Sequence, residues 1–318
     1  MAAAPGKVLI TGGAGFIGTH LAERLCRTHR VVLFDNYRRD SLTGLPLAAH
    51  PNVQVFRGDV LNQEEVQVAA QGVDTVLHLA AIAGVSSYYA LPLQTLRVNV
   101  LGTVNVLEAA VAAGTRRFVY FSTSEVFGPR AENVAEDDPC NIGPPAEKRW
   151  VYAVSKLAGE NFVLRYGEEY GLQTTCVRPF NVYGPRQTGE GAVSNFCRAA
   201  VRGEPLRIYG DGRAVRAWCF ISDLVDAVEL VLAQSESAGQ VFNIGNPREV
   251  ETTRGLAERV ARLMPGVTLV TQPVERAEVG VRIPCIDKAR KVLGYEPKVN
   301  LDEGLRLTLA WYKETMRP

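Results

Sequence analysis

Tyr152 and Lys156 stand four residues apart in Trp150-Val151-Tyr152-Ala153-Val154-Ser155-Lys156. On a helix that spacing puts both side chains on one face. An ammonium beside a phenol stabilises the phenolate and lowers the tyrosine pKa from its usual ~10, which makes Tyr152 a usable base near neutrality. Upstream lies Phe121-Ser122-Thr123-Ser124-Glu125-Val126-Phe127-Gly128, whose Thr123 or Ser124 can supply a hydroxyl to orient a substrate alcohol. A bare Tyr-x-x-x-Lys usually marks only one buried ring and one solvated amine. This pair carries more because a nucleotide-binding sheet and a Ser/Thr cluster at a strand end precede it.

The sheet begins at Lys7-Val8-Leu9-Ile10, a mostly apolar run that reads as a buried strand. Phe16 to Cys26 reads as an amphipathic helix. Between them Gly12, Gly15 and Gly18 fall in a G-x-x-G-x-x-G spacing. Gly12 permits the tight turn, Gly15 lets the backbone approach a diphosphate, and Gly18 lets the helix pack on the sheet. The diphosphate would sit against the free N–H groups of the helix N-terminus. Val31-Val32-Leu33-Phe34 is a second strand ending in Asp35, where an acidic group accepts bonds from an adenosine ribose and repels a 2′-phosphate, so NAD is favoured over NADP. Arg38 and Arg39 lie close enough to reverse that preference.

Val53–Phe56 alternates as a third strand, and Asp59 after it can meet the adenine amine. Val73–Leu79 is a fourth strand, followed by Ala80 and Ala81, whose small side chains allow close approach. His78, lacking an acidic or cysteine partner, reads as structural. Leu93–Ala113 reads as one long helix, Arg116–Ser122 as a fifth strand, and the Tyr152 helix continues through Tyr170. The expected cofactor set is Gly12, Gly15, Phe16, Ile17, Gly18, Asp35, Asn36, Asp59, Val60, Leu79, Ala80 and Ala81, with Tyr152 and Lys156. Alternating strands and helices predict an α/β fold, a Rossmann-type doubly wound parallel sheet over residues 1–180 with some later segments returning to it. Pro and Gly punctuation loosens the pattern afterwards, so residues 181–318 are expected to form mainly a smaller C-terminal α/β substrate lobe.

The 318 residues are 47% hydrophobic and 22% charged, ordinary globular values. A net charge of +1 argues against a nucleic-acid surface. The six cysteines are scattered without a C-x-x-C pair, which reads as reduced thiols in a cytoplasmic protein and offers no metal site. Met1–Gly6 lacks the basic and apolar regions of a secretion signal, and no apolar run reaches the ~18 residues of a membrane span.

Over nearly its whole length the chain resembles the extended short-chain dehydrogenases/reductases that act on nucleotide sugars. Beyond the glycine loop and the Tyr-Lys pair, the resemblance rests on Arg178-Pro179-Phe180-Asn181-Val182-Tyr183-Gly184-Pro185-Arg186, on Gly203 to Gly212, and on Arg216-Ala217-Trp218 with Ser222-Asp223-Leu224. It implies that Asn181 and Arg216 hold the diphosphate of the sugar nucleotide, that Leu206 to Tyr209 flank its base, and that Thr123, Arg186, Tyr209 and Arg282 also contact substrate. It further implies a homodimer formed by the helices 93–113 and 152–170.

Within that family the chain is most like UDP-glucuronate decarboxylases. Thr123-Ser124-Glu125 resembles their signature, and Arg282 in Val281-Arg282-Ile283-Pro284 resembles the arginine they place by the substrate carboxylate. The resemblance implies catalysis by Thr123, Ser124, Glu125, Tyr152, Lys156 and Arg282: NAD-dependent oxidation at C4, loss of carbon dioxide, and formation of UDP-xylose or release of UDP-4-keto-xylose. Tyr-Ala-Val-Ser-Lys is closer to the epimerase/dehydratase average, which keeps a 4-epimerase of UDP-glucose or UDP-glucuronate as the alternative. A 4,6-dehydratase comes after it, because Ser124 is too weak an acid to protonate a departing C6 hydroxyl. A non-catalytic NAD-sensing regulator on the same fold would typically lack the Tyr-Lys pair, which is intact here.

Overall fold

The computed structural model describes residues 6–273 and 279–316. The reading of the amino terminus as lacking a secretion signal falls on residues 1–5, outside the described residues. Strand β1 (Lys7–Thr11), helix α1 (Phe16–Leu25), strands β2 (Arg30–Asp35) and β3 (Val53–Arg57), helix α2 (Gln63–Ala70) and strands β4 (Thr75–His78) and β5 (Arg117–Phe121) open the fold. Seven parallel strands form one sheet in the order Gln240–Ile244, Gln173–Pro179, β5, β4, β1, β2, β3. The central strands β1 and β2 are apolar on both faces because helices cover both. Along β1, Val8 and Ile10 enter one buried cluster and Leu9 the other; along β2, Val31 and Leu33 oppose Val32 and Phe34. Each such side chain contributes roughly 1.5–3 kcal/mol on burial.

A second sheet orders Val250–Thr252, Val215–Ala217, Val281–Pro284 and Arg130–Val134. Arg130–Val134 therefore pairs with a strand from the last third of the chain, Val281–Pro284, while Gln240–Ile244 extends the large sheet. The pairing of Val281–Pro284 with Arg130–Val134 shifts register between Arg282 and Pro284, the kind of irregularity that re-aims a side chain.

The helix expected over 93–113 is interrupted. Pro92–Leu96 gives way to a π-turn at Arg97–Leu101 before an α-helix resumes at Gly102–Ala112. Asn99, buried in that turn, accepts from Ile82 N at 2.8 Å and donates to Ile82 O at 3.2 Å and Ser155 Oγ at 2.9 Å. These bonds hold the segment after β4 against the Tyr152 helix, Val151–Tyr170, and account for the wide turn. A buried bidentate pair does similar work deeper in. Arg178 Nε and Nη2 donate to Glu160 Oε1 and Oε2, each at 2.8 Å, tying the same helix to strand Gln173–Pro179. His78 is satisfied by Thr11 Oγ1 at 2.6 Å and Thr103 Oγ1 at 3.0 Å. Burial first, and Lys156 second, push it down to about 3, so it is neutral and structural. Among the described residues no helix is long and apolar enough to cross a membrane.

Candidate active site

A cleft of about 520 Å³ runs along the carboxyl ends of β1, β2, β4 and β5. Gly12, Gly15, Phe16, Ile17, Gly18, Asp35, Asn36, Asp59, Val60, Leu79, Ala80 and Ala81 all line it. Gly12 has φ +71°, and a Cβ there would lie 2.8 Å from Ala80 N; a Cβ at Gly18 would collide with the Gly12 carbonyl oxygen. Helix α1 starts at Phe16, preceded by Gly15, which offers no side-chain cap, and has no acid in its first turn, so its leading N–H groups are left unspent beside the cleft-lining glycines. Asp35 accepts from Ala14 N at 3.0 Å and Tyr37 N at 2.7 Å, which fixes its carboxylate with lone pairs left for a ribose diol. Burial raises the Asp35 pKa, and the two backbone donors partly offset it. These residues fit a dinucleotide: an uncapped helix end for the diphosphate, an oriented acid for the ribose, and small residues at the rim.

Tyr152, Lys156, Thr123, Ser124 and Glu125 line the same cleft. The lysine, however, is aimed at the backbone. Lys156 Nζ donates to Phe121 O at 2.6 Å and lies 4.7 Å from the Tyr120 ring centroid. Burial pushes its pKa down to about 7. The Tyr152 phenol is pushed up, first by burial and then by the Glu125 charge, against a lowering hydrogen bond from Thr123 and the field of Arg39. The sign differs from the sequence expectation because burial removes water from the phenolate while the ammonium turns to a carbonyl.

Glu125 ends the cleft. Arg149 grips it with two contacts, Nη1 to Oε2 at 2.6 Å and Nη2 to Oε1 at 2.9 Å. Arg282 Nη1 lies 3.6 Å from Oε1, while its Nη2 donates to Gly128 O at 2.8 Å. Both guanidinium side chains are buried, at 6% and 2% exposure. Burial acts to raise the Glu125 pKa, but Arg282 and Arg149 outweigh it and hold the carboxyl below its ordinary value. Among the described residues one carboxylate thus faces two buried guanidinium groups, with the charge of Arg216 adding to their field. Arg282 Nε and Nη1 lack a hydrogen-bond acceptor. Among the described residues no cluster of His, Cys, Asp or Glu is placed to hold a metal ion.

A model of the NAD-dependent epimerase/dehydratase family matches residues 8–245. The chain belongs to that family. It is an enzyme, and its cofactor is NAD. This epimerase/dehydratase is 34% identical over 326 residues to UDP-N-acetyl-alpha-D-glucosaminuronate decarboxylase of Bacillus cytotoxicus, across 97% of this chain and 98% of that one. It is 37% identical over 308 residues to UDP-glucuronic acid decarboxylase 6 of Arabidopsis thaliana, across 95% and 87% of the two chains. Its fold matches UDP-glucuronic acid 4-epimerase from Bacillus cereus, solved with UDP-glucuronic acid and NAD, with a TM-score of 0.87 at 28% identity, covering 97% and 99%.

Other residues expected in the epimerase/dehydratase site are divided. Asn181 lines the cleft, held at φ +42° with its amide donating to Ala217 O at 2.9 Å. Arg186, Tyr209, Arg216 and Arg282 do not line it. Arg186 turns to Glu23 of α1 at 2.8 Å. Arg216 donates to Val279 O at 2.7 Å and Val215 O at 2.9 Å, and Tyr209 is an exposed strand end. Two residues were not foreseen. Tyr88 stacks on Tyr152 with ring centroids 5.8 Å apart and planes within 5°. Arg149 hydrogen-bonds the Tyr88 hydroxyl and holds Glu125. Arg149 carried a readable signal, because it stands three residues before Tyr152; Tyr88 did not.

Proposed function

We propose that this epimerase/dehydratase decarboxylates a UDP-hexuronate, UDP-glucuronate or its 2-acetamido counterpart. The observation that carries the reading is the Glu125–Arg149–Arg282 cluster, whose excess positive charge at one end of the cofactor cleft suits an anionic substituent. The decarboxylase relatives support it. Substrate carboxylate plus Glu125 would match the two guanidinium groups charge for charge. NAD, held by the glycine turn and Asp35, would supply the hydride acceptor and donor for C4, and its oxidised ring would carry a positive charge of the kind that lowers a phenol's pKa.

In this reading Tyr152 takes the C4 hydroxyl proton and Thr123 orients that hydroxyl, while Lys156 is fixed at the same end of the cleft. The resulting ketone is β to the C6 carboxylate. The C5–C6 bond then breaks, carbon dioxide leaves, and its electron pair collects on the C4 oxygen as an enolate, which Tyr152 can hydrogen-bond. Arg282, outside the cleft lining but beside Glu125, attracts the carboxylate through its charge, and Glu125 crowds it with like charge and stays ionised through Arg282 and Arg149. Protonation at C5 completes the 4-keto-pentose, which is then reduced to UDP-xylose or released.

Proton NMR of the enzyme with NAD and UDP-glucuronate tests this. UDP-xylose or UDP-4-keto-xylose is the expected product, and turnover of only the 2-acetamido uronate would narrow the substrate at C2. UDP-galacturonate would instead make the enzyme a 4-epimerase, the reaction of the Bacillus cereus neighbour, and dehydration of UDP-glucose would overturn the reading altogether. A homodimer through 92–112 and 151–170 belongs to the same proposal, since Leu93, Leu101, Val154 and Phe162 are exposed along those helices. Light scattering should give the dimer mass; monomer mass at micromolar concentration removes that part.

A further inference from the structure

One carboxylate that lines the cleft takes no part in the chemistry above. Glu190 stands between Gly189 and Gly191, on the segment that leads into the Ala192–Val201 helix. Its Oε1 accepts from Arg39 Nη2 at 3.1 Å, Ser87 N at 3.1 Å and Ser87 Oγ at 2.8 Å, and its Oε2 accepts from Ser86 N at 2.5 Å. Arg39 follows β2, and Ser86 and Ser87 follow β4, so a single side chain joins three segments distant in sequence. A parallel tie runs beside it, where Ser41 Oγ donates to Arg186 O at 2.9 Å and lies 2.9 Å from Thr188 Oγ1. The approach is tight: a Cβ at Gly84 would lie 2.7 Å from Glu190 Oε1.

Arg39, Gly84, Thr188 and Glu190 line the cleft that also holds Asp35 and Gly15, whereas Ser86 and Ser87 do not. An unpaired carboxylate there would repel a diphosphate. Four donors, one of them a guanidinium, spend its charge on the protein instead. The Arg39 and Glu190 side chains keep 29% and 28% exposure, so water and salt can reach the pair and open it.

We propose that Glu190 is a clasp that closes the cleft over bound NAD, so that the cofactor stays resident from one turnover to the next and exchanges only when the clasp opens. The proposal rests on the cofactor and holds for any redox-neutral sugar chemistry at the site.

Holoenzyme loaded with radiolabelled NAD, chased with unlabelled NAD and filtered at intervals, reads the release rate without requiring turnover. Glu190→Gln and Arg39→Met are each expected to speed release about tenfold or more, and the double variant no more than the faster single, because both open one contact. Ser87→Ala should also speed release, although Ser87 is outside the cleft lining, which a direct contact between Glu190 and NAD would not predict. In wild type, raising salt from about 0.05 to about 1 M, where the Debye length shrinks to ~3 Å, should accelerate release, and Glu190→Gln should lose that response. Wild-type release rates in the folded variants would overturn the clasp. So would salt-independent release from wild type, which covers the case of variants that fail to fold.

Discussion

Replacing Glu125 by Ala is expected to reduce carbon dioxide release from UDP-glucuronate by about 10³-fold or more, the scale on which a charged group at the reacting centre acts. The same change removes the carboxylate that both Arg149 and Arg282 face and, among the described residues, leaves two like charges buried together. Breaking a buried pair this way costs about 3–5 kcal/mol, so the variant should also melt at lower temperature. Glu125→Gln separates the two effects, since it keeps the shape and some hydrogen bonding while removing the charge. Carbon dioxide trapping measures the first effect, and calorimetric titration with NAD and UDP checks that binding survives. Undiminished release from Glu125→Gln would remove the proposed role. The pH dependence of stability gives a further check. Glu125 is held below its ordinary pKa in the folded protein, so its contribution is fully present above the unfolded value near ~4.3 and is lost as pH falls through the folded value. The Ala variant should lose that component of acid sensitivity.

Tyr152→Phe is expected to stop the first oxidation, with no transient rise in reduced-nicotinamide absorbance when NAD-loaded enzyme meets substrate in a stopped-flow mixer. General-base removal alone predicts losses of about 10²–10⁴. Because burial and Glu125 hold the phenol above its ordinary pKa, the phenolate fraction grows with pH. The wild-type oxidation rate should therefore climb from neutral to alkaline conditions, and the residual rate of the Phe variant should not. A normal transient in Tyr152→Phe would mean that another group takes the C4 proton. Tyr88 is an alternative in position, stacked on Tyr152, but its hydroxyl is already engaged by the Arg149 guanidinium.

What the sequence determined by itself is what short-range geometry governs. Gly12, Gly15 and Gly18 lie within one strand–turn–helix, where chain sterics leave few conformations, and all three face the cleft. Asp35 is the last residue of its strand, and Tyr152 and Lys156 share a helix face because 3.6 residues make a turn. The parallel sheet followed from strands too apolar to leave either face in water.

The tertiary structure decided whatever depends on partners far along the chain. Arg149 meets Glu125 only because the helix packs beside β5, and Arg282 arrives from more than a hundred residues away at a shifted strand register. Arg186 and Arg216 have the right chemistry for a diphosphate, yet Glu23 and the carbonyls of Val215 and Val279 engage their guanidinium groups. The Asn99 amide in the π-turn at Arg97–Leu101 is buried and finds its partners far along the chain, at Ile82 and Ser155. Even the direction of the Tyr152 pKa lay beyond the sequence, since desolvation and the aim of an ammonium are set by the packed core around them.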